Sequence, residues 1–102
     1  MNVRAIVEEE SAKEWLRRQA EKGRGHAECV GTNEYYDTYD LTLASGKTLR
    51  VVVWTNGKIG TGTSLITMPF GVSRDVPGEV RADFMRRTRI WLEKNASLFE
   101  KF

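Results

Sequence analysis

The run Gly57-Lys58-Ile59-Gly60-Thr61-Gly62-Thr63-Ser64 gathers glycines, a lysine and hydroxyls, the ingredients of a phosphate cradle. Its spacing is not that of a P-loop, and it follows a hairpin instead of opening a helix. The expected role of Gly60 and Gly62 is therefore to let another backbone approach the sheet closely. His26 and Cys29 have a metal-like HxxC spacing, but no second pair of His or Cys completes a ligand set. A Cys/His nucleophile pair has no support either, because the offset along a strand says nothing of mutual geometry. No metal and no cofactor are expected.

Carboxylates recur in Glu34-Tyr35-Tyr36-Asp37-Thr38-Tyr39-Asp40. Acid/base chemistry would need a second, differently tuned group or metal ligands, and no companion motif supplies them. Tyrosines offer wide contact at low rotamer cost and acids select basic partners, so Tyr35, Tyr36, Asp37 and Asp40 read as a recognition edge. The plainer reading is a solvated strand edge with Tyr39 facing inward. Arg86, Arg87 and Arg89, with Arg17, Arg18 and Lys22, form the best argument for nucleic acid, since arginine forks grip phosphate and a nearby aromatic can stack a base. Against it, Asp83 precedes Arg87 by four residues, Arg89 precedes Glu93 by four, and Glu14 precedes Arg18 by four. That pattern belongs to an ordinary solvated helix face.

Composition narrows the class. The 102 residues suit a single domain spanning 1–102 with one core. A net charge of +2 is close to balance, which weighs against non-specific wrapping of nucleic acid. Cys29 is the only cysteine, so no internal disulfide forms, as expected of a reducing cytoplasm. The opening MNVRAIVEEESAKEW lacks the apolar run of a signal peptide, and nowhere do about 18 apolar residues follow one another as a span requires. A cytoplasmic, non-membrane protein is expected.

These residues must be held by a helix, a meandering sheet and a second helix. Ser11-Ala12-Lys13-Glu14 matches a capping box, Trp15, Leu16 and Ala20 follow at helical spacing, and Gly23 is a natural stop. The segment from Val3 to Val7 reads equally as a short strand or an early helical turn. His26 to Thr32 is a weak strand, Asn33 to Asp37 a turn or irregular edge, and Thr38 to Ala44 a better strand. Ser45-Gly46 turns it into Thr48 to Thr55, and Asn56-Gly57 leads to a strand from Lys58 to Met68. Pro69 to Gly78 is a loop. Val80, Phe84, Thr88, Trp91, Leu92, Leu98 and Phe99 recur at helical steps, giving a final helix of roughly 30 Å, with Glu79 and Asp83 at its positive end.

The expectation is an α+β domain of order α-β-β-β-α, with a three- to four-stranded antiparallel meander and room for an extra short strand. This order resembles the double-stranded RNA-binding domain in topology alone. Val76-Pro77-Gly78-Glu79-Val80 stands where that family begins its second helix with a lysine-rich stretch, so no function carries over. Restriction-nuclease-like cores share a related order, but the strand from Thr48 to Thr55 has no acidic-x-lysine signature.

Register decides which residues face the helix. A three-residue loop ending in a left-handed Gly46 aligns Tyr39, Leu41 and Leu43 with Leu49, Val51 and Val53 on one aliphatic face. Arg50, Val52 and Trp54 then fall on the reverse face with Thr38, Asp40 and Thr42. The Asn56-Gly57 turn can be tight or bulged, and the bulged form would swap the faces of Ile59 and Thr61 with those of Gly60 and Gly62. The expected function is non-catalytic recognition by a small accessory or inhibitor-type protein, bound to a protein partner or to itself as a homodimer. Arg50, Val52 and Trp54 form the contact centre; the competing reading is that the first helix covers this face through Trp15 and Leu16 and makes it a second small core. The alternative is a nucleic-acid-binding module using Arg86, Arg87 and Arg89, and the third is a small-molecule-binding domain or an enzyme.

Overall fold

The computed structural model describes residues 25–62 and 64–102. The N-terminal helix expected from Ser11, the Val3 to Val7 segment and the basic residues Arg17, Arg18 and Lys22 lie outside the described residues. Five strands follow in a simple antiparallel meander: β1 (His26–Thr32), β2 (Tyr36–Thr42), β3 (Thr48–Trp54), β4 (Lys58–Gly60) and β5 (Leu65–Thr67). Helix α1 (Gly78–Lys94) crosses one face, and a short 3-10 turn (Ala96–Phe99) closes the core beyond it. Among the described residues no helix is long and apolar enough to cross a membrane.

The sheet has five strands where the sequence suggested three or four, because the stretch from Lys58 to Met68 is two strands. It folds back at the glycine-rich segment, where Gly62 takes a positive φ of 91° and the Thr61 amide donates to the Ser64 carbonyl at 3.1 Å. Two further hairpins share one construction. Ala44-Ser45-Gly46 and Thr55-Asn56-Gly57 are three-residue loops whose last residue alone has a positive φ, 90° at Gly46 and 91° at Gly57. Each loop contributes the extra residue of a glycine bulge. At the second hairpin this decides for the bulged form of the Asn56-Gly57 turn: among the described residues no non-glycine residue takes a positive φ. Asn56 instead accepts the Lys58 amide on its side-chain oxygen at 3.1 Å.

These bulges set the faces. Tyr39 pairs with Val51, Leu41 with Leu49 and Val53 with Ile59, so the aliphatic residues share one side. With Ala27, Leu43 and Met68 they pack against Phe84, Leu92, Ala96 and Phe99 in a single buried core. α1 has 17 residues, shorter than expected, and its buried stripe is Phe84, Thr88 and Leu92. Val80 and Leu98, which the periodicity placed in that stripe, are exposed. Val80 sits in the first turn, and Leu98 lies past Asn95, where the backbone has tightened to a 3-10 turn and the 3.6-residue period no longer holds.

Candidate functional site

The sheet face turned away from α1 holds the reverse-face residues, and no described residue packs over it as a layer. Its central row is built by the strand register. Gly31 pairs with Thr38, Thr38 with Val52, Val52 with Gly60, and Gly60 with Leu65. Gly60 has nothing within 4 Å of the place a Cβ would occupy, and Gly31 meets only the Thr38 Cβ at 4.0 Å. Two missing side chains thus leave a trough whose floor is Thr38 and Val52. The reading that Gly60 admits a second backbone is not what the described residues show; the space beside it is open.

Each side of the trough has a distinct wall. Tyr36 and Trp54 are cross-strand partners, and their rings meet edge to face with centroids 4.9 Å apart. Trp54 remains 41% exposed. On the other side Asp40 and Arg50 are also cross-strand partners, joined by two hydrogen bonds of 2.8 and 3.2 Å from the guanidinium. That contact holds the Asp40 carboxyl below its ordinary value and raises the guanidinium of Arg50. Both groups are open to water, so the pair serves orientation and charge display more than stability. Glu28 extends the same row from β1.

The acidic tyrosine run is largely answered by the chain's own arginines. Glu34 lies 3.8 Å from Arg74, Asp37 lies 2.7 Å from Arg81, and Asp40 pairs with Arg50. Asp37 does not stand on the recognition edge: strand alternation turns it to the helix side, where it is fully buried. There it also accepts the Thr32 hydroxyl, while Arg81 donates to the Asn33 and Glu34 carbonyls. The sequence hid this because Arg81 is 44 residues away. Tyr35 is exposed beside the turn, its ring 5.0 Å below the Arg74 guanidinium. Asn33 shapes that turn by accepting the Tyr35 and Tyr36 amides at 2.8 and 3.0 Å.

The remaining chemical candidates fall apart in space. Three residues along a strand put His26 and Cys29 on opposite faces. His26 lies 3.4 Å from Glu93, while Cys29 packs against the core. Burial pushes the Cys29 thiol above its ordinary value, which keeps it protonated at neutral pH. In the glycine-rich turn the Ser64 amide is bonded to the Thr61 hydroxyl, so the amides of Thr61 and Ser64 both serve the turn itself. Arg86, Arg87 and Arg89 of α1 are exposed. Arg86 is paired with Asp83, one helical turn away, and Arg87 lies over the Phe70 ring at 4.4 Å. Glu93, expected to pair with Arg89, accepts the Ala27 amide at 3.0 Å.

No family model matches the sequence, and no curated protein or solved structure matches the chain.

Proposed function

We propose that the protein is a non-catalytic recognition module that works through the open sheet face, with a second copy of the same chain as its occupant. The observation that carries this reading is the trough between Gly31 and Gly60, floored by Val52 and Thr38 and walled by the Tyr36–Trp54 pair. An exposed tryptophan beside an aliphatic floor is the kind of anchor at which interfaces concentrate their binding energy. The row Glu28, Asp40, Arg50 presents both signs of charge side by side, so a copy related by a two-fold axis sets opposite charges against each other.

Area supports this scale of partner. Three seven-residue and two three-residue strands cover roughly 450 Å² of sheet at ordinary strand spacing. Side-chain relief raises what two copies bury together to about the 1,000 Å² that a specific interface requires. Two such faces pack at the usual sheet-to-sheet angle near −30°. Tyr35 stands apart from this contact, its ring against Arg74 of the loop before α1.

Nucleic-acid binding through Arg86, Arg87 and Arg89 is the weaker reading, since Asp83 already engages Arg86 and interrupts the track of cations that a strand would follow. Sedimentation equilibrium of the wild-type chain beside Trp54→Ser and Gly60→Gln tests the proposal. A dimer that both substitutions convert to folded monomer supports it. A wild-type chain that stays monomeric at high concentration contradicts it.

A further inference from the structure

On the other side of the molecule, α1 and the loop before it enclose a second apolar surface. Phe70, Arg87, Ile90, Trp91 and Lys94 line a hollow of about 230 Å³. Ile90 is 40% exposed, and Trp91 is half-buried against the core. Arg87 is stacked 4.4 Å above the Phe70 ring, which fixes its position, and the N–H edges of its guanidinium have no partner among the described residues and can grip a carboxylate. Lys94 stands two helical turns from Arg87, roughly 10 Å along the axis. An adjoining hollow of about 430 Å³ shares Ile90 and Lys94 and ends at Gly25 and Glu93, so the surface is a groove along the helix. The Glu93 carboxylate at its far end is turned toward β1, where it accepts the Ala27 amide.

We propose that this groove binds an acidic and apolar segment of a partner protein, one aliphatic or aromatic side chain entering the hollow while flanking carboxylates meet Arg87 and Lys94. Size and charge both select that occupant. The smaller hollow falls below the roughly 300–1,000 Å³ of small-molecule pockets and suits one or two side chains. Two cations framing an apolar centre complement a segment with acids on either side of an anchor. A nucleic-acid strand would instead require a continuous track of cations beside its stacked bases.

The test follows the Trp91 indole N–H by NMR, assigned through Trp91→Phe, as a probe is added to the full chain. The probe is a synthetic 12-residue peptide of leucine and glutamate with leucine on one helical face; a glutamine-for-glutamate version serves as control. The Trp91 signal is expected to shift to saturation with the glutamate peptide. Binding is expected to weaken about tenfold with the glutamine peptide, and by a similar factor in Arg87→Glu and Lys94→Glu. Ile90→Gln provides a variant of an exposed position that removes the anchor contact without changing charge. An unmoved Trp91 signal at millimolar glutamate peptide overturns the proposal, as does wild-type affinity in Arg87→Glu. A larger shift with oligothymidylate, or a concentration-dependent shift with no peptide, also overturns it by giving the groove to nucleic acid or to a second copy.

Discussion

Asp37 and Arg81 meet at 2.7 Å between sheet and helix, with the carboxylate fully buried and the arginine side chain 15% exposed. Thr32 donates a further hydrogen bond to the same Asp37 oxygen, whereas the second oxygen and the arginine Nε have no partner among the described residues. Removing one member of such a pair strands a charge in the core; replacing both with apolar groups removes the desolvation cost as well. Arg81 also grips the carbonyls of Asn33 and Glu34, so the pair ties the β1–β2 turn to α1.

Arg81→Met alone is expected to lower unfolding free energy by about 3–5 kcal/mol, and the double variant Asp37→Leu/Arg81→Met to recover most of that loss. Urea denaturation of the two variants beside wild type measures both quantities. A double variant no more stable than the single one contradicts a buried ion pair as the origin of the effect.

The Tyr39 hydroxyl donates to the Met85 carbonyl at 3.1 Å beneath α1. Burial, with Cys29 and Asp37 nearby, pushes its ionisation well above the ordinary 10.0, despite the opposing influence of Arg81 and Arg89. The unfolded chain therefore releases this proton at lower pH than the folded one. Stability contributed by neutral Tyr39 is complete below pH 10 and declines as pH rises above it. Tyr39→Phe is expected to cost about 1 kcal/mol at neutral pH and to flatten the alkaline decline. Thermal melts between pH 8 and 11 read both.

Val51 and Val53 are fully buried between β3 and α1. Val51→Asp would place an unpaired carboxylate there and is expected to destabilise by several kcal/mol. A Val51→Asp chain that melts at the wild-type temperature contradicts the assignment of the core face.

Gly57 and Gly60, three residues apart, are expected to respond differently to alanine. At Gly57 the positive φ and the Phe70 carbonyl, which a Cβ would strike, predict a loss above about 1 kcal/mol. At Gly60 the open space predicts a change within about 0.5 kcal/mol. Equal melting temperatures for the two alanine variants would contradict the bulged hairpin.

The β2–β3 register was readable because Gly46 is the one residue of its loop suited to a left-handed conformation, and only the bulged loop joins Tyr39 and Leu41 to Val51 and Leu49. Local alternation likewise placed Arg50, Val52 and Trp54 on the reverse face. The split of Lys58 to Met68 into β4 and β5 was hidden by the β-branched Ile59, Thr61, Ile66 and Thr67, which read as strand on both sides of the turn at Gly62. Asp37 was misread for a different reason: its partner Arg81 lies on another element, and pairing across 44 residues leaves no periodic trace. The trough was equally invisible, because Gly31 and Gly60 enter one row only once three strand pairings are known.

Sedimentation equilibrium of Gly60→Gln beside the wild-type chain tests the central claim most directly. The substitution adds a side chain where no described atom lies within 4 Å of the built Cβ, so it fills the trough and leaves the core untouched. The account predicts a concentration-dependent dimer for wild type and a monomer with an unchanged melting curve at low concentration for Gly60→Gln. A wild-type monomer, or a Gly60→Gln chain that dimerises as tightly as wild type, would contradict it.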